Sequence, residues 1–278
     1  AMLGVLRAEF FPRAGRLSLG VAALGFALAT AAPLTLRKSE FYEAAITAGF
    51  LWGMAMLLCA TLAVRRERRR TLWLACASLC AGLAVASRPN LLAGAVAVGA
   101  VLVWSAWRAR RSAGESIRWR WLAAAVLPAA FCGMGLALYN TARFGDPLEF
   151  GHRFQVGSIA DNYVSLRYFI HNLTVYYLTP PSAGWFFPFF SPGLEGARPP
   201  GYIGVEYADG QWWFLPWLVV LPVLGGIFWR RLRCVQPLAV IVGVIALWFA
   251  ANFALVASVS ARANRYMLDF HPALVLLV

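Results

Sequence analysis

Charged residues in this chain fall only in the gaps between long apolar runs. The uninterrupted runs are Leu17–Leu36, Ala44–Val64, Thr71–Ser87, Leu91–Trp107, Trp121–Tyr139, Trp212–Trp229 and Val235–Ser258. Each has a length matching the ~20 helical residues that cross a bilayer core. A further run opens at Phe270 and reaches Val278, where the sequence given ends. The pattern predicts an all-α, multi-pass transmembrane helical bundle of seven complete spans and a truncated eighth. The first residue is Ala1, and the last run is short, so the chain is expected to be a piece of a longer protein.

The gaps divide by charge. On one side lie sixteen arginines, from Arg7 to Arg233, against Glu9, Glu67 and Glu115; on the other, nine basic residues face nine acidic ones. The whole net charge of +13 therefore sits on one side. The bias of positive loops predicts that this side is cytoplasmic. Threading follows. Residues 1–139 carry five spans, residues 140–211 form one long outer loop, and residues 212–278 return through the membrane. The third and fourth spans form a hairpin about Ser87-Arg88-Pro89-Asn90, because proline ends a helix and extends the residue before it. In the outer loop, Tyr163–Leu178 predicts a helix with Leu166, Phe169, Ile170, Leu173 and Tyr177 on one face. It is too polar to span and is expected to lie along the membrane surface. The aromatic run Trp185–Phe190 reads as an interface belt or as the lining of a sugar or lipid groove.

Composition adds exclusions. A chain 61% hydrophobic and 13% charged is not an ordinary soluble domain. Its arginines sit just beyond span ends, so they set topology and do not mark a nucleic-acid surface. Of the five cysteines, none is placed outside, so no exported disulfide framework is expected, and Cys76 and Cys80 read as small packing residues. No Walker loop, HExxH, GxSxG or CxxC occurs, which leaves nucleotide-driven transport and zinc peptidase chemistry without support. Lys38 is the sole lysine, and with the Ala-rich spans this suggests a high-GC bacterial genome.

Candidate chemistry gathers at the outer helix ends. Glu43 stands at the mouth of the second span, where a helix dipole favours a carboxylate and where a general base would meet water. Arg88 and Arg265 hold positions from which a guanidinium forks onto phosphate or snorkels to headgroups. Tyr266, Asp269 and His271 lie beside Arg265. After the fifth span come Arg143, Asp146, Glu149, His152 and Arg153. Asp146 and Glu149 offer a base or hard oxygen ligands for Mg²⁺ or Mn²⁺, or they pair with the flanking arginines and shape the loop.

The strings FYEAAI at 41–46, LAVASRPN at 83–90, LYNTARFGDPLEFG at 138–151 and ANRYMLDFHPALVLL at 263–277 resemble the GT-C superfamily of polytopic membrane glycosyltransferases, in its bacterial mannosyltransferase-like branch. The resemblance implies transfer of a sugar from a polyprenyl-phosphate donor to a glycan, lipid or protein acceptor on the outer face of the bacterial inner membrane. It implies no nucleotide cofactor and often a divalent metal. The family's principal acid would lie upstream of Ala1. Arg88 and Arg265 best match its phosphate-side arginines. Glu43, Asp146 and Glu149 are then candidate catalytic acids, with Arg88, Arg143, His152, Arg265 and Tyr266 toward substrate. The rival readings are a transporter or flippase for lipid-linked glycans, and an assembly subunit without chemistry.

Overall fold

The structure is a computed structural model that describes residues 1–30, 41–112, 119–151, 164–186, 189–191, 197–202, 204–205, 210, 226 and 235–277. Among these residues the fold is helical with four two-residue strands. Five helices are long and apolar enough to cross a membrane. They coincide with predicted runs: α3 is Phe41–Arg65, α4 Arg70–Ser87, α5 Leu92–Ser112, α6 Trp119–Phe144 and α8 Gln236–Ala257. The first run appears as a shorter apolar helix, α2, Arg16–Ala29. The run at 212–229 lies outside the described residues, as do Cys234 and the end of the first run. The eighth run begins as α9, His271–Leu276, with proline in its first turn.

Two helices depart from the sequence reading. The basic stretch at 1–16 contains α1, Met2–Phe10, which packs Met2, Leu6 and Phe10 against the bundle. Its Glu9 pairs with Arg65 and, at 3.1 Å, with Arg66. Helix α6 runs to Phe144, five residues beyond the boundary drawn at 139.

The bundle is built by close approach of small residues, the device that brings helices together where lipid supplies no hydrophobic drive. Helix α4 packs between α3 and α6, and α8 packs on α5. Gly94 in the first turn of α5 lies so near α8 that an added Cβ would collide with the side-chain amide of Asn252. The contact is also polar. The Gly94 N–H is one of the orphan donors of a helix start, and it donates to Asn252 Oδ1 at 3.1 Å. Pro128 cannot supply an N–H inside α6, and the neighbouring Ala129 N–H donates across to Ser78 Oγ of α4 at 3.1 Å. Cys59 and Cys80 are buried in this core as free thiols, in keeping with a packing role.

The outer region is stapled to the bundle at one end. Helical turns run from Leu166 to Leu178, with α7 at Phe169–Leu173. Here the predicted apolar face divides. Phe169, Leu173 and Tyr177 join a cluster with Phe253 of α8 and Phe270, while Leu166 and Ile170 stay exposed. Burial instead favours Tyr168, Asn172, Val175 and Tyr176. Asn172 explains the difference. Helix α8 ends at Ala257 with carbonyls that have no helical partner, and Asn172 Nδ2 donates to Ala257 O at 2.9 Å and Val259 O at 2.8 Å. Its Oδ1 accepts from the Tyr202 hydroxyl at 2.5 Å. Removing this amide leaves two carbonyls without its hydrogen bonds, so Asn172→Leu is expected to lose roughly 2–6 kcal/mol at ~1–3 kcal/mol per orphaned group. Amide exchange at 259–263 checks it, and unchanged protection there would show that the cap is not carried by Asn172.

Two short pairings complete the staple. Strand β3 (Gly204–Val205) lies parallel to β4 (Ala261–Arg262), and Val164 bridges Val259. Strands β1 (Ser182–Ala183) and β2 (Phe190–Ser191) form an antiparallel hairpin. Its turn places Phe189 in the left-handed region at φ 66° and leaves Trp185 and Phe186 almost wholly exposed.

Candidate functional site

Three segments far apart in sequence meet at the Phe41 end of α3. The first is the start of α3 itself, with Tyr42 and Glu43. The second is the turn between α4 and α5, where Pro89 stops the helix and sets Arg88 and Asn90. The third is a 3-10 segment, Asn264–Asp269, joining β4 to α9 and packing against α3. A 3-10 segment repeats every three residues. That repeat puts Tyr266 and Asp269 on one face toward Arg88, and Arg265, one position earlier, reaches Glu43.

Asp269 is the deepest charge in the cluster, its side chain fully buried. Its Oδ2 accepts from Arg88 Nη2 at 2.6 Å and from Asn90 Nδ2 at 2.6 Å. Burial pushes the carboxyl up from its ordinary range, and Arg88 and Asn90 pull it back. Oδ1 is buried with no hydrogen-bond partner. The guanidinium of Arg88 also lies 5.3 Å from the Tyr266 ring centroid, the geometry of a cation–π contact. Its methylenes cross α3 at Gly49, where a Cβ would stand 2.8 Å from Arg88 Cγ.

Glu43 repeats the arrangement. Its Oε1 accepts from Arg265 Nη1 at 3.3 Å, while Oε2 is buried without a partner. Arg265 stands 5.9 Å from the Tyr42 ring centroid. Both acids thus spend one oxygen on an arginine and keep a second, buried oxygen able to accept a proton or a hydroxyl hydrogen bond. Of the sequence candidates, the structure gathers Glu43, Arg88, Arg265 and Tyr266. Asn90 and the buried role of Asp269 come from the fold. The available signals were the Arg-Pro-Asn turn and the single acid of the 261–269 stretch.

Asp146 and Arg143 make their contacts within their own loop and helix. Asp146 Oδ1 accepts from the Leu148 N–H at 2.8 Å, an Asx turn inside its own loop. Arg143 donates to the Tyr139 hydroxyl at 2.8 Å, one turn back on α6, and lies over the Phe144 ring. Glu149 is buried. His152 and Arg153 lie outside the described residues. His271 is fully buried, its ring centroid 6.4 Å from that of Tyr177. Among the described residues no three His, Cys, Asp or Glu side chains gather as metal ligands.

A second polar layer sits above the cluster. His171 makes an edge contact with the Tyr202 ring at 4.8 Å. Burial, then the charges of Arg262 and Arg198, hold it below its usual range. The Tyr176 hydroxyl receives the Ala263 N–H at 3.3 Å, and burial pushes its own ionisation upward. This layer fixes the backbone on which Arg265 and Asp269 are mounted.

The fold and site define a helical protein with membrane-length spans and a buried charge cluster at one end. No protein-family model, curated protein or solved structure matches the chain.

Proposed function

We propose that this chain is the membrane part of a glycosyltransferase that moves a sugar from a polyprenyl-phosphate donor to an acceptor hydroxyl. One observation carries the reading. Two arginine–carboxylate pairs converge from three remote segments at one end of the bundle, and each acid keeps a buried, unpartnered oxygen. In the proposed reaction Glu43 Oε2 takes the acceptor hydroxyl proton. The acceptor oxygen attacks the anomeric carbon, the bond from that carbon to the phosphate oxygen breaks, and the electron pair leaves with the phosphate. Arg88 and Arg265 neutralise the charge that develops there. A polyprenyl phosphate leaves readily, so the step requires no nucleotide.

The arginine distribution supports the matching orientation. The seven-span threading would put the arginine-rich end in the cytoplasm of a bacterial inner membrane. The charge cluster, loop 140–211 and the Trp185–Phe186 hairpin would then sit at the outer interface, where exposed aromatics anchor at headgroup level. The mutual neutralisation of the two pairs favours a second reading, in which they only lock an assembly subunit together.

One substitution separates the two. Gln at position 43 still accepts from Arg265 but takes no proton. Full-length protein in liposomes with a polyprenyl-phosphate sugar is expected to lose transfer by roughly 10²-fold in Glu43→Gln, at unchanged melting temperature. Transfer that survives Glu43→Gln and Arg265→Gln alike would refute the roles given to these two residues, and lipid flux with no covalent product would refute the transferase.

A further inference from the structure

A different feature runs along the length of the bundle, from Leu92 to Trp107 on α5. Helices α4 and α6 pack closely, α5 diverges from α6, and among the described residues an apolar groove of about 820 Å³ opens between them. That volume falls in the ~300–1,000 Å³ range of small-molecule sites. The floor is made of small side chains, including Ala81, Gly99, Ala129 and Gly133. An added Cβ at Gly99 or Gly133 meets nothing within 4 Å, so the space above them is open. Along α5 the lining runs from Leu92 to Trp107, about 22 Å at 1.5 Å per residue. One leaflet of hydrocarbon is about 15 Å deep.

The groove is not apolar throughout. At its α5 C-terminal end, Trp104 and Trp107 also line a second cavity, whose other walls are Arg108 and Arg111. Each guanidinium is held over an indole, Arg108 at 5.4 Å from Trp104 and Arg111 at 5.1 Å from Trp107. A guanidinium pairs its forked donors with the oxygens of a phosphate. An apolar slot deeper than one leaflet, with two arginines beside two tryptophans at its end, matches a molecule with long acyl chains and an anionic head.

We infer that this groove is a specific site for an anionic glycerophospholipid, with its acyl chains between α4, α5 and α6 and its phosphate on Arg108 and Arg111. The site is separate from the charge cluster and does not rest on the transferase reading. A zwitterionic lipid would fill the slot as well but gain less from the arginines. Each basic residue near a membrane surface is worth about a fivefold preference for anionic lipid.

The test uses the full chain, purified, delipidated and offered equal phosphatidylglycerol and phosphatidylcholine in mixed micelles. Retained lipid is read by native mass spectrometry. Wild type is expected to retain phosphatidylglycerol over phosphatidylcholine by at least tenfold. The double variant Arg108→Gln/Arg111→Gln should bring the ratio to near one. Gly99→Leu, which fills the slot from open space, should lower retention of both lipids with the far-UV spectrum unchanged. Equal retention of the two lipids by wild type would overturn the inference. So would cross-linking of a Val96→Cys variant to a second copy with no lipid retained, which would make the groove a helix-docking face.

Discussion

Replacing Asp269 with alanine is expected to destabilise the protein by about 3–5 kcal/mol, the usual consequence of leaving one member of a buried ion pair alone. The geometry explains the size. Asp269 is the acceptor for both Arg88 and Asn90, so one substitution strands a cation and an amide together. Arg88 has little recourse to water. Its side chain is 15% exposed and its Nε is already buried without a partner. Deleting both charges is a different matter. The double change Arg88→Met/Asp269→Leu is expected to recover most of the loss, because well-packed apolar groups often replace a buried pair at no cost. Unfolding in a mild detergent, monitored by near-UV circular dichroism, measures both. A single variant as stable as wild type would mean that Arg88 relaxes to solvent and that the cluster is looser than its distances imply.

The second large effect lies at the other end of the bundle. Trp121 is buried in the first turn of α6, between the guanidinium of Arg70 at 4.9 Å and that of Arg110 at 4.8 Å. Arg70 begins α4 and Arg110 closes α5, so one indole joins three helices. Trp121→Ala is expected to cost about 3–5 kcal/mol through the cavity it opens. About 0.5–1 kcal/mol for each lost cation–π contact is added to this. Trp121→Phe keeps an aromatic face for both cations, whereas Trp121→Leu keeps only apolar volume. Phenylalanine should therefore retain more stability than leucine by about 1–2 kcal/mol. Equal stability of the two would show that the arginines contribute nothing through the ring.

Much of the site was legible as positions and little of it as partners. Glu43, Arg88, Arg265 and Tyr266 stand out because an ionisable or polar group at a span end is visible in a charge pattern. Their pairing is not visible there. Arg88 and Asp269 are 181 residues apart, and Arg265 and Glu43 are 222 apart. The Asp146 region illustrates the converse. Its density of ionisable groups suggested a site, yet Asp146 satisfies a turn within two residues and Arg143 reaches one turn back. Nothing in the sequence marks Asn172 for its role, because capping the end of a helix 85 residues away leaves no local trace.

By itself the sequence determined where the long helices run, which end of each is rich in arginine and where the turns fall. These are local properties. Burying a charge in lipid costs several kcal/mol wherever it sits along a span. Proline ends a helix through its own ring. The tertiary structure alone decided which helix ends meet. The charge cluster forms because the segment 264–269 is pressed against α3 and the α4–α5 turn. That placement depends on how residues such as Gly94, Asn252, Asn172 and Phe270 fit their neighbours, summed over the bundle.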